Sequence, residues 1–292
     1  MKINIIRLIL ITVASLHITA CEDMISEVDV PESDPKIVVF SVISPQDEFI
    51  TVKVYKSRAL YSLTPQHSWE ESFPVIPDAT VRISNGVDWL QLPYNAETRS
   101  YRIASESMPV QASQTYYLDI KAPGGYSAEA SCTVPAGTPP DIEITATEYV
   151  ENYGEQSAMV SFRFKDIPGN GHFYRVIPGT YFSDEYYGDD FFSESGLSRG
   201  ESVFSDKNRE GAFFNFRTSE IYKGNNPDNR LLIWSSVTDE DYYNYHHSVM
   251  SFQGDNPFSE PSPVFTNIDG GLGIFAAVNG RLQEFTLNQD QP

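Results

Sequence analysis

Short runs of alternating apolar and polar residues organise this chain. Across residues 49–55, Ile50, Val52 and Val54 alternate with Thr51, Lys53 and Tyr55, and that period of two predicts a half-buried strand. Residues 36–43 form a β-branched run, and residues 78–84 alternate through Ala79, Val81 and Ile83. Asn85-Gly86 then reads as a type I′ hairpin turn, with both residues at positive φ, and residues 87–92 as the returning strand. Residues 101–103, 115–121 and 126–134 complete this set, with Pro123-Gly124-Gly125 turning between the last two. About seven short strands separated by turns predict a β-sandwich of immunoglobulin-like size over residues 36–134.

Residues 135–140, PAGTPP, read as a stiff linker between domains. Strand patterns resume at 141–147 and at 157–165, where Val160, Phe162 and Phe164 share a face. They continue at 173–177, 212–217 and 231–237, the last apolar enough for a central strand. One helix is predicted. Thr238 caps it, Asp241 takes the capping-box position, and the carboxylates of Asp239, Glu240 and Asp241 suit the positive helix end. Tyr242, Tyr245, Val249 and Phe252 recur at helical spacing and should lie against the second sheet. Glycines 270, 271 and 273 turn into a strand at 274–278, and 281–287 should pair back through Asn279-Gly280. The expected fold is mainly β, with two β-sandwich-like domains: 36–134, immunoglobulin-like, and 141–292, carrying the helix near its end.

The first 21 residues break this pattern. Lys2 and Arg7 give a positive start, residues 3–13 are mostly Ile, Leu and Val, and Ile18-Thr19-Ala20 leads into Cys21. A basic start, an apolar stretch too short to span a bilayer and small residues before a cysteine read as a signal peptide over 1–20. The last four residues resemble a bacterial lipobox, so Cys21 is the expected lipidation site and the membrane is reached through the N-terminal lipid. Residues 21–35 form the lipidated tether. Glu22 and Asp23 resemble the surface-export signals of Bacteroidota lipoproteins, which points to a surface-exposed outer-membrane location.

Charge narrows the partners. The chain carries 20 basic and 40 acidic residues, a formal charge of −20. Loss of Lys2 and Arg7 with the signal leaves 18 basic residues and a charge near −22. Such a surface repels nucleic acid and anionic membranes. With Cys21 lipidated, Cys132 has no disulfide partner and is expected to be a buried structural thiol.

Candidate chemistry is sparse. The run 181–195, YFSDEYYGDDFFSES, holds five acidic and six aromatic residues. One reading is a binding loop offering Tyr181, Phe182, Asp184, Glu185, Tyr186, Tyr187, Asp189, Asp190, Phe191 and Phe192 to a ligand or cation. The other is an insertion whose aromatics pack on the domain while its carboxylates stay solvated. The run lacks the ligand spacing of an EF-hand. No His-Glu-x-x-His motif occurs, and no Lys-Ser/Thr pair follows glycines 270–273. Adjacent His246 and His247 point about 100° apart on a helix, and His67 and His172 stand isolated in sequence. The expectation is a protein without catalytic residues, metal or cofactor.

Asn-Pro-Phe-Ser-Glu-Pro at 256–261 and Asn-Ile-Asp-Gly-Gly-Leu-Gly-Ile-Phe at 267–275 resemble the closing signature of a lipoprotein family of Bacteroidota, the DUF4249 family. The lipobox, the strand series ending at Val134-Pro135 and the helix before Asn256 fit that resemblance. The chain departs from it near Ala276-Ala277, where members commonly carry Gly-x-Tyr. Members typically lie beside genes for TonB-dependent receptors. The resemblance therefore implies a non-enzymatic accessory or ligand-handling partner of a TonB-dependent outer-membrane transporter. It supplies no catalytic residues. The alternative is a structural or adhesin-like cell-envelope lipoprotein with stacked β-domains.

Overall fold

A computed structural model describes residues 34–57, 74–139, 141–152, 155–169, 171–183, 190–222, 230–252 and 263–287. Side chains at 152, 155, 182, 183, 190 and 191 are outside that description. The described residues from Pro35 onward belong to one compact unit. Residues 21–33 of the predicted tether and the His67 region lie outside the described residues.

The protein is mainly β. Strands β1 (Ile37–Ile43), β2 (Phe49–Lys56), β3 (Thr80–Ser84), β4 (Trp89–Leu92), β5 (Tyr94–Asn95), β6 (Ser100–Ala104), β7 (Thr115–Ala122) and β8 (Tyr126–Thr133) form the first half. The second half holds β9 (Glu143–Asn152), β10 (Glu155–Lys165), β11 (Phe173–Ser183), β12 (Asp190–Glu194), β13 (Leu197–Arg199) and β14 (Val203–Ser205). It continues with β15 (Phe213–Thr218), β16 (Ile221–Tyr222), β17 (Arg230–Thr238), helix α1 (Glu240–Ser251) and β18 (Gly271–Thr286). No helix among the described residues is long and apolar enough to cross a membrane.

These strands form three sheets. The large one runs β12-β11-β17-β18-β1-β2-β6-β5, with β14 also on β11. A four-stranded sheet runs β4-β3-β7-β8, and a five-stranded sheet runs β13-β15-β10-β16 with β9 on β10. Alternation does the layering. Ile50, Val52 and Val54 of β2 meet Val81, Ile83, Leu118 and Ile120 of the four-stranded sheet in one core. Val160, Phe162 and Phe164 of β10 meet Tyr174, Val176, Leu231 and Ile233 of the large sheet in a second core.

The large sheet serves both cores because β18 is one 16-residue strand. It pairs in parallel with β1, from Ile37↔Gly271 to Ile43↔Ala277, and antiparallel with β17, from Thr238↔Val278 to Arg230↔Thr286. Phe275 and Ala277 enter the first core, while Leu287, just past the strand, enters the second. The expected unit 141–292 thus lends its last strand to the 36–134 sandwich. The expected hairpin at Asn279-Gly280 is corrected: both residues lie within β18. Gly280 is there because a Cβ would stand 2.5 Å from the Ser235 oxygen of β17, a close approach rather than a turn.

Two local expectations also change. The Asn85-Gly86 turn is a four-residue loop joining paired Ser84 and Trp89. Only Gly86 has positive φ there, and Asn85 Oδ1 accepts from the Val87 and Asp88 amides instead. The α1 cap is Asp239, whose carboxylate accepts from Tyr242 N at 2.8 Å, not Thr238, which is buried in the final ladder pairs of β17. The helix lies over Ile274, Ala276 and Val278, the β18 face opposite the cores, through Tyr242 and Tyr245. Val249 and Phe252 do not join that contact and remain 43% and 48% exposed.

Candidate functional site

The acidic-aromatic run is in part a hairpin. Tyr181, Phe182 and Ser183 end β11 and pair with Phe192, Phe191 and Asp190 of β12, the edge of the large sheet. Directly opposed, Tyr181 and Phe192 meet edge to face at 6.2 Å, and the Arg230 guanidinium lies over Tyr181. Gly179 makes room, since a Cβ there would collide with the Phe192 ring. Asp184, Glu185, Tyr186, Tyr187 and Asp189 lie outside the described residues, and so do the side chains of Phe182, Asp190 and Phe191. The expected loop is corrected to paired strands at both flanks.

A second surface escaped sequence reasoning. The outer face of the four-stranded sheet holds an open cleft of about 590 Å³. Alternation sends Val81 and Ile83 inward, so Arg82 points out and faces Asp119 across the β3–β7 pair. Arg82 Nε donates to Asp119 at 2.9 Å, and its guanidinium lies 5.2 Å from the centre of the Trp89 ring. Trp89 and Tyr117 are 48% and 44% exposed in this cleft, and Glu129, Asn267 and Asp269 complete its wall. The Glu129 and Asp269 amides and carbonyls bond reciprocally at 3.0 and 2.8 Å, which fixes that wall. Rigid aromatic rings beside a held guanidinium give large contact area at small entropic cost. The signal was present in the polar side of the 80–84 and 115–121 alternation. The four-residue loop that brings Trp89 beside Arg82 was not.

His172, isolated in sequence, is not isolated in space. Its Nδ1 lies 3.2 Å from Asp206 Oδ2, and Asp166, His172 and Asp206 each offer a ligand atom within 4.8 Å of the others. Both carboxylates are buried. Asp166 accepts from the Tyr174 hydroxyl at 2.5 Å and Gly211 N at 2.9 Å; Asp206 accepts from Gly171 N and His172 N. Burial, and then the Asp166 contact, pushes the Tyr174 phenol well above its ordinary range. His172 also lines a cleft of about 480 Å³ with Pro135, Gly137, Asp239 and Glu240.

Beneath α1, titration is set by burial. The Asp239 carboxyl is pushed up to about 7, chiefly by desolvation, against hydrogen bonds from Tyr242 N and Ala277 N. The His246 imidazole is pushed down to about 4 by desolvation and by Arg175. Its ring packs on Tyr242 at 4.2 Å, while His247 packs on Tyr243. Cys132 is buried, and desolvation, with Asp239 and Asp241 adding, pushes its thiol well up. That holds it in the unreactive protonated form.

The glycine-rich signature has a structural explanation. Gly273, at φ +99°, lies where a Cβ would run into the Val39 carbonyl oxygen, and a Cβ on Gly271 would stand 2.8 Å from the Ile37 oxygen. These glycines let β18 lie alongside β1. Asn267 binds the Phe275 backbone, and the Asn256–Pro261 half of the signature, written Asn-Pro-Phe-Ser-Glu-Pro, lies outside the described residues. Comparison with curated proteins gives no match. The family model described as Domain of unknown function (DUF4249) matches residues 25–283, and the chain belongs to that family.

Proposed function

We propose that this protein is a lipid-anchored outer-membrane component, surface-exposed, that acts as a non-enzymatic partner of a TonB-dependent nutrient transporter. The observation that carries the binding reading is the Trp89–Tyr117–Arg82 surface. Two half-exposed aromatic rings and a guanidinium held by Asp119 line an open cleft, and these residue types recur as anchors of protein interfaces. The lipobox at Ile18-Thr19-Ala20-Cys21 supports the anchor, and Glu22-Asp23 support surface display. A chain with a formal charge of −20 gains little from anionic lipid headgroups, so the acyl chains supply attachment. The closing-signature resemblance supports the transporter as partner. The Tyr181–Phe192 hairpin edge is the second surface in this reading, offered to the ligand.

Metabolic labelling with a palmitate analogue tests the anchor. The wild-type chain should take up label and fractionate with outer membrane, and Cys21→Ala should do neither. Label persisting in that variant contradicts the anchor. A lipidated protein that binds no receptor supports the structural cell-envelope role instead.

A further inference from the structure

We propose that Asp166, His172 and Asp206 form a binding site for one divalent transition-metal ion of the Zn²⁺ class. The site sits where two connections cross between sheets. Residues 166–172 lead from β10 in the five-stranded sheet to β11 in the large sheet, and 206–212 lead from β14 back to β15. The ladders run on into these connections, with Asp166 N donating to Ala212 O at 2.8 Å and Asp206 N to His172 O at 3.0 Å. The three side chains thus meet at one end of the second core, directly above Tyr174.

Three observations carry the ion. The first is uncompensated charge. Asp166 and Asp206 are each 4% exposed, and among the described residues neither pairs with a lysine or arginine. Arg209, in the same connection, donates to Ser205 O and lies over the Phe204 and Phe214 rings instead. Two buried carboxylates call for a cation, and His172 supplies one only when protonated.

The second is ligand chemistry and spacing. Two oxygens and an imidazole nitrogen suit Zn²⁺ and its neighbours. Ligand atoms about 2.1 Å from a tetrahedral ion stand about 3.4 Å apart, and His172 Nδ1 and Asp206 Oδ2 are 3.2 Å apart. Asp166, within 4.8 Å of both, closes the set by a shift of up to about 1.4 Å.

The third is orientation. Gly211 N and Tyr174 Oη hold Asp166, and Gly171 N and His172 N hold Asp206. A carboxylate has about four acceptor positions, so each keeps lone pairs free while its donors fix its direction, as outer-shell partners of metal ligands do. His172 borders the 480 Å³ cleft, which gives the ion an entry and leaves a coordination position for water. On binding, Nδ1 gives up its hydrogen and the proton resides on Nε2 or leaves to solvent. The ion would staple the two sheet-crossing connections.

The test uses the detergent-solubilised full chain, stripped with chelator and titrated with Zn²⁺ by calorimetry. One saturable ion per chain is expected. Zn²⁺ at about 100 times its Kd should raise the melting temperature by about 5–10 °C. Co²⁺ should give the strong visible bands of a tetrahedral site. His172→Gln, whose side chain is 22% exposed in the wild type, should fold and lose the tight binding, as should Asp206→Asn. Absence of a saturable site in the folded wild type overturns the proposal. Binding and melting gain unchanged in His172→Gln also overturn it, since the ion would then sit on scattered surface carboxylates. Co²⁺ spectra lacking tetrahedral bands are the third contradicting result, and they need no variant.

Discussion

The side chain of Asn267 completes the backbone of Phe275. Its Oδ1 accepts from Phe275 N at 3.0 Å, and its Nδ2 donates to Phe275 O at 2.7 Å and to Asp241 Oδ2 of α1 at 2.9 Å. On that edge β17 reaches only from Val278 onward, so the groups of Phe275 and Ala277 need other partners. Asp239 serves Ala277, accepting from its amide at 2.7 Å and donating its own N–H to Ala277 O. Asn267→Ala strands both Phe275 groups in a buried setting, at a cost of about 1–3 kcal/mol for each unsatisfied group. The expected result is a fall in melting temperature with the circular dichroism spectrum retained. An unchanged melt contradicts the assignment.

Gly273→Ala should be far worse than Gly125→Ala. Both glycines have positive φ, at +99° and +82°. A Cβ on Gly125 meets nothing within 4 Å, whereas one on Gly273 meets the Val39 carbonyl. The first change costs only the conformational penalty of about 1–2 kcal/mol. The second must also part β18 from β1. Expression and urea unfolding of both variants check the order.

Phe275 is fully buried, and Val249 is 43% exposed. Phe275→Ala should cost about 3–5 kcal/mol, a large share of a total of about 5–15 kcal/mol. Val249→Ala should stay within about 0.5 kcal/mol. Equal losses in thermal melts would contradict the placement of the helix face.

Asp239 and His246 give opposed pH dependences. The Asp239 carboxyl rises from its ordinary 3.8 to about 7. Its stabilising effect is full below about 3.8 and is lost as pH climbs to about 7. The His246 imidazole falls from 6.5 to about 4. Its effect is full above about 6.5 and is lost as pH drops to about 4. Relative to wild type, Asp239→Asn should therefore make stability climb more steeply between about pH 4 and 7, and His246→Gln should make it climb less. Melts across that window read the two differences, and parallel curves would contradict both.

Much of this fold was legible because alternation depends only on neighbouring residues. Val52, Val81 and Phe162 faced the cores as their periods require. What was not legible depends on partners distant in sequence. Asn279-Gly280 reads locally as a turn, but β17 on one side turns Gly280 into a close-packed strand position. Thr238 reads as a cap until β17 claims it, leaving Asp239 to cap. His172 and Asp206 stand 34 positions apart, and only the β11–β14 pairing brings them together. The Trp89 surface was half legible: the outward positions of Arg82 and Tyr117 follow from alternation, but the approach of Trp89 does not.

The proposed partnership is tested most directly by affinity purification of the full chain from membranes in mild detergent. Wild-type protein should co-purify a TonB-dependent receptor. The Trp89→Ala/Tyr117→Ala pair, altering residues 48% and 44% exposed, should keep its melt and lose the receptor. A well-folded, lipidated wild-type protein that brings down no such receptor would contradict the account, as would a double variant that retains it in full.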